Sequence, residues 1–113
     1  MNYLLKEIPF KKVLIKDISL GDKRISVTGY IKEIDGKSVI INDTTGEICG
    51  ILPDDIEIRN KDKVINKIYR AMGTIKVYDD GTFDFFIKKL IPMEKLDMGL
   101  YIKIRELVNK INR

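Results

Sequence analysis

The 113-residue sequence has no histidine, no tryptophan, a single cysteine and three prolines. Without an imidazole base, Ser–His and Cys–His nucleophile pairs and histidine-ligated metal sites are excluded. One cysteine cannot form an intramolecular disulfide framework or a cysteine-built zinc site, so Cys49 reads as a small apolar filler. Long apolar runs are missing too, and nothing approaches the roughly 20 residues of a membrane-spanning helix. Residues 1–6 lack the apolar segment of a secretory leader. The expectation is a soluble, cytoplasmic protein with no membrane partner.

What remains is a mixed, charge-rich chain. Hydrophobic residues make up 44% of it, enough for one core, and the length fits one domain. Charged residues make up 34%, with 21 basic against 17 acidic side chains and a net charge of +4. That is a mild lean toward polyanionic partners, not toward disorder.

Residues 1–22 read as an N-terminal lead-in packing on the barrel that the next strands build, closed by the turn signal Gly21-Asp22. From Lys23 the pattern has period two. Ile25, Val27, Gly29 and Ile31 share one strand face, Ser26, Thr28, Tyr30 and Lys32 the other, and Gly29 marks a bend or bulge. Asp35-Gly36 is a hairpin turn. Strands are expected at 37–42 and 47–52, separated by Asp43-Thr44-Thr45-Gly46. Residues 54–65 read as a loop with one helical turn. A long strand spans 67–78, Asp79-Asp80-Gly81 closes a hairpin, and a fifth strand over 82–91 is ended by Pro92, which cannot donate to a ladder. The spacing then turns helical: Leu96, Leu100, Ile104, Leu107 and Ile111 recur, with Tyr101 and Val108 beside them. Glu94 near the start and Lys103, Arg105, Lys110 and Arg113 toward the end suit the helix dipole. The fold class is mainly β: a five-stranded OB-fold barrel (23–92) with a C-terminal helix for oligomerisation (93–113).

The long strand sorts its own chemistry. Tyr69, Ala71, Gly73, Ile75 and Val77 face inward, whereas Arg70, Lys76 and Tyr78 share the other face with Met72 and Thr74. Cations for phosphates and a ring for an unpaired base are what a nucleic-acid single strand needs. Lys88 and Lys32 extend this track, and Tyr30 is a second candidate platform. An ordinary solvated sheet face, with Tyr78 packing across strands, accounts for the same pattern. Phe83, Phe85 and Phe86 read as core. The acidic pairs Asp54-Asp55 and Asp79-Asp80 are explained by turns, so no catalytic residue, metal site or cofactor is expected. Met98 and Ile102 lie on a different side of the helix from the Leu100–Ile111 stripe. An apolar surface that broad points to partner helices, against a helix that only caps its own barrel.

Two segments, Val27-Thr28-Gly29-Tyr30-Ile31-Lys32 and Ile41-Asn42-Asp43-Thr44-Thr45-Gly46-Glu47-Ile48, resemble the OB domains of replication protein A. The run 69–78 and the step Leu90-Ile91-Pro92-Met93-Glu94-Lys95 look like its middle subunit. The resemblance covers roughly 23–111. It implies an archaeal-type subunit, middle or small, of a complex that binds single-stranded DNA in replication, recombination and repair, nucleoid-associated in a prokaryote. It implies OB-subunit partners, with Leu100, Ile104, Leu107, Val108 and Ile111 in a trimeric helix bundle, an interface that Leu96 of the same periodic stripe extends. It also implies DNA contacts from Arg70, Lys76 and Tyr78, to which the strand pattern adds Lys32 and Lys88. One departure stands out: the third strand lacks the family's second stacking aromatic, with Cys49 and Ile51 at outward positions. Two alternatives remain open, an OB scaffold with little DNA binding and an RNA- or tRNA-binding OB domain.

Overall fold

The computed structural model describes residues 9–111; residues 1–8 of the lead-in and Arg113 lie outside them. The strands are β1 (Lys11–Lys12), β2 (Arg24–Asp35), β3 (Ser38–Asn42), β4 (Glu47–Ile51), β5 (Ile68–Val77) and β6 (Phe83–Pro92), and helix α1 (Met98–Ile111) comes last. The sheet order is β1-β2-β3-β4-β6-β5, and β5 returns to pair with β2. Five strands thus close into a ring, sealed by a short parallel pairing of β4 with β6. Closure leaves the ring without a free edge.

The period-two pattern places Ile25, Val27, Ile31, Val39, Ile41, Ala71 and Phe85 inside, all fully buried. Each large apolar side chain taken from water contributes about 1.5–3 kcal/mol, and this core is the main source of stability. The chain bends where one residue has no partner across the ladder. In β2 the shift falls between Ile31 and Glu33, so Lys32 is the extra residue, not Gly29. Gly29 is instead a place of close approach, because a Cβ there would lie 2.6 Å from the Asn42 carbonyl oxygen. In β5–β6 the shift falls at Met72/Gly73, where Gly73 abuts the Phe86 carbonyl and Lys88 is the extra residue. Pro92 does not stop β6 early. It is the strand's last residue, opposite Tyr69, and the next amide, Met93 N–H, donates to Ile68 O.

The lead-in is tied down by one buried carboxylate. β1 pairs in parallel with Ile25 and Ser26, and Val13 and Leu14 are buried. The chain then makes a 3-10 turn over Ile15–Asp17. There the Ile15 N–H donates to Asp43 Oδ2 at 2.8 Å. The other oxygen, Asp43 Oδ1, accepts from the Thr45 N–H (2.9 Å) and hydroxyl (2.6 Å). Asp43 is completely buried, so these donors replace the water that a charged group otherwise requires. Ser26 and Thr28, on the outer face of β2, are buried as well; alternation alone places them on a solvated face.

The helix starts later than its periodicity implies. Asp97 Oδ1 accepts the Leu100 N–H at 3.1 Å, as an N-cap does, so Glu94 and Leu96 belong to the preceding turn. One side of α1 lies against the lead-in: Lys16 Nζ pairs with Glu106 Oε1 at 3.1 Å, and Asn109 Nδ2 donates to Asp17 Oδ2. Met98 on that side is buried, while Tyr101, Ile102, Arg105 and Val108 are half-buried.

Candidate nucleic-acid interface

The exposed side of β4, β6 and the far half of β5 forms one surface. Ladder register fixes what meets there. Cys49 lies opposite Ile40, Ile51 beside Phe86, Phe86 opposite Thr74, and Lys76 opposite Asp84. Because Gly50 and Phe85 point inward at one matched position, Ile51 and Phe86 point outward at the next. Phe86 is therefore not a core residue. Phe85 is fully buried and Phe83 packs against the core, but Phe86 lies half-exposed in a shallow groove with Ile51, Pro53 and Lys88. Cys49 likewise sits exposed on this surface and is no core filler.

At one end of the surface stands Tyr78, just beyond the last residue of β5, 38% exposed. Its amide donates to Thr82 O and its carbonyl accepts the Gly81 N–H, closing the hairpin. The phenol donates to Asp84 Oδ2 at 2.7 Å, and this bond to the carboxylate raises the hydroxyl's pKa above its ordinary value. Lys76 Nζ lies 5.4 Å from the ring centroid, a cation–π arrangement. The ring is thus held at its hydroxyl and approached by a cation, and it remains partly exposed. Asp84 is the cost of this arrangement, since its carboxylate repels a phosphate.

The five residues expected to contact nucleic acid do not form one tight cluster. Lys76 and Tyr78 are neighbours, and exposed Lys88 sits mid-strand on β6 near Met72 and Gly73. Arg70 lies about 20 Å from Lys76 along β5, taking about 3.3 Å per residue, between Thr28 and Ile91. Lys32 is beyond the other end, where its Nζ donates to Asn66 Oδ1 at 2.9 Å. Tyr30 is half-buried in a separate cleft at that end. Sequence reasoning misses two surface residues. Lys89 lies opposite outward-facing Met72, and the β6 bulge that sets its orientation leaves no trace in composition. Phe86 is legible, because it alternates with Phe85. Among the described residues no group of acidic or sulfur side chains is arranged to hold a metal ion.

The helix presents a second surface. Leu100, Ile104, Leu107 and Ile111 are 56%, 47%, 58% and 71% exposed, and their i, i+4, i+7, i+11 spacing places them on one stripe. Of the six helix positions singled out from the sequence, Leu96 precedes the helix and Val108 turns toward the cleft shared with Lys11, Lys12 and Val13.

No protein-family model and no curated protein matches this sequence. Solved structures do match its fold. A chain of the S. pombe Stn1–Ten1 complex superposes with TM-score 0.69 at 14% identity, covering 94% of this chain and 97% of that one. The telomere capping protein Ten1 from Saccharomyces pombe gives 0.66 at 13% identity, covering 90% and 99%. A chain of U. maydis replication protein A bound to ssDNA gives 0.64 at 14% identity, covering 90% and 91%. The fold is that of these OB-fold chains, over nearly their whole length.

Proposed function

We propose that this chain is an OB-fold subunit of a single-stranded DNA-binding complex of the replication protein A or Ten1 kind, acting in replication, recombination and repair. It works by binding and has no catalytic role. One observation carries the reading: two outward rings, Tyr78 and Phe86, stand on the same barrel surface as Lys76 and Lys88. Among the described residues neither lysine is in an ion pair. Rings with cations beside them suit unpaired bases and their phosphates, and here Lys76 sits by Tyr78 while Lys88 lies just beyond Phe86. Phe86 stands beside Ile51, next to the strand that lacks an aromatic, and supplies the second platform from β6.

Assembly is assigned to the other surface. The exposed stripe of α1 meets helices of partner OB subunits, in the trimeric bundle that the resemblance to replication protein A implies. The match to chains taken from the Stn1–Ten1 and replication protein A complexes supports this reading. A second reading, a scaffold with little DNA binding, is favoured by one feature, the Asp84 carboxylate between Tyr78 and Lys76. The combined substitution of Lys76, Tyr78 and Phe86 by alanine separates the two. A large loss of affinity of the purified complex for an oligothymidylate supports direct binding; unchanged affinity supports the scaffold.

A further inference from the structure

The barrel end away from the 78–82 hairpin holds a cleft separate from the surface around Tyr78 and Phe86. Its volume is about 420 Å³, within the roughly 300–1,000 Å³ of small-ligand sites. Its walls include Tyr30, Lys63, Asn66, Lys67, Tyr69 and Glu94. Tyr30, opposite Ile68, and Tyr69, opposite Gly29, point to opposite faces of the sheet; Tyr69 packs against the core, so Tyr30 supplies the outward ring. A 3-10 turn over Lys61–Lys63 delivers the first lysine. Asn66 then reverses the chain in the left-handed region (φ 64°), with its amide donating to Ile31 O at 2.7 Å. Its side chain holds Lys32 Nζ, which brings a third ammonium to the lip. Lys63 and Lys67 are exposed and make no ion pair among the described residues. Three ammonium groups against one carboxylate, beside the half-buried Tyr30 ring, define a site for a phosphate joined to a flat ring.

We propose that this cleft binds a nucleotide. Lys63 and Lys67 hold the phosphate, the Tyr30 ring takes the base face, and Glu94 with Asn66 offers hydrogen bonds to the base edge. In its strand-bound form the inference rests on the proposed function. The cleft and Tyr78 lie at opposite ends of β5, about 33 Å apart by strand rise, with Arg70 and Lys88 between them. A free mononucleotide offers the same chemistry, and the test separates the two sources.

The probes are thymidine 5′-monophosphate and oligothymidylates of about 4 and 16 nucleotides, the limits of OB-fold site size, added to the isotope-labelled full chain. The mononucleotide and the 16-mer are expected to shift the amide signals of Asn66, Lys67 and Ile68. Lys63→Ala/Lys67→Ala is expected to abolish those shifts, leaving the rest of the spectrum intact. It is also expected to reduce the salt slope of 16-mer binding by about 1.4, at about 0.7 per lost contact. A 16-mer that responds to Lys76→Ala, yet binds the double variant with unchanged slope while cleft signals stay still, overturns the cleft site and leaves the hairpin surface standing. Shifts with the mononucleotide but no oligonucleotide binding uphold the cleft and remove the proposed function. Silence with every probe overturns both.

Discussion

Two turns in this molecule share a local design and have opposite surroundings. In Asp43-Thr44-Thr45 and in Asp80-Gly81-Thr82, the aspartate Oδ1 accepts from the amide and hydroxyl of the threonine two residues on, at 2.9 and 2.6 Å in one and 3.0 and 2.6 Å in the other. The middle residue is left-handed in both, Thr44 at φ 74° and Gly81 at φ 86°. The first aspartate is completely buried and takes a further hydrogen bond from Ile15. The second lies on an exposed hairpin next to Tyr78. The turn chemistry is therefore not the role. What the rest of the chain brings to each turn makes one a structural clamp and leaves the other on the exposed rim of the proposed binding surface.

The largest effect is expected at the clamp. Asp43→Ala removes acceptors from three donors, one of them the lead-in amide. With buried donors costing about 1–3 kcal/mol each when orphaned and partial relaxation, a loss of about 3 kcal/mol is expected in urea denaturation. A loss no greater than that of an exposed residue would break the comparison. Next comes binding: Tyr78→Ala or Phe86→Ala should each weaken oligothymidylate binding about tenfold, the middle of the range for one stacked base, with little change in the urea midpoint. Titration calorimetry against one oligonucleotide reads both.

The third effect exploits the difference at the middle residue. Thr44 is β-branched and held in a conformation that suits glycine, so Thr44→Gly should stabilise the protein by up to about 1 kcal/mol, strain relief of about 1–2 kcal/mol being offset by added chain entropy. A destabilised variant would show that the Thr44 side chain contributes more than its backbone costs.

The smallest effects are pH-dependent and belong to the exposed hairpin. The Thr82 hydroxyl and then its amide hold the Asp80 pKa below the usual 3.8. Its contribution to stability is present above that value and fades as pH falls through the lowered folded-state pKa. The Tyr78 phenol is shifted the other way by Asp84, above its ordinary 10.0. Its contribution is present below pH 10 and is lost as pH rises through the raised folded value. Asp84→Asn should return the tyrosinate absorbance titration of Tyr78 toward its ordinary midpoint. Asp80→Ala should lower the urea midpoint slightly at pH 7 and leave it unchanged at a pH below the lowered Asp80 pKa.

The same contrast explains what was legible in the sequence. Alternation identified the inward face of β2 and that of β5 as far as Ile75, though Val77, expected inward, is 41% exposed at the strand end; the order of turns identified the OB fold, because each rests on local spacing. The Asp43 turn was legible as a turn, but its clamp was not. Its key donor, Ile15, is 28 residues away, and no local pattern announces a long-range hydrogen bond. For the same reason alternation puts Ser26 and Thr28 on a wet face. Bulges at Lys32 and Lys88 escaped because one unpaired residue reverses a face without altering composition. The helix stripe was legible from its period; Asp97, the cap that fixes its first turn and leaves Leu96 outside, was not. The scattered placement of the five expected contact residues is likewise a matter of register, which links strands far apart in the chain.

The central claim, that the surface carrying Tyr78, Phe86, Lys76 and Lys88 holds a single strand, is tested most directly by fluorescence anisotropy of a labelled oligothymidylate with the wild-type chain and its Lys76→Ala/Tyr78→Ala/Phe86→Ala variant across a salt series. Wild-type binding is expected to weaken as salt rises, and the variant to bind at least about a hundredfold more weakly, from two lost stacking rings. Equal affinity of the two proteins, or wild-type binding indifferent to salt, would contradict the claim.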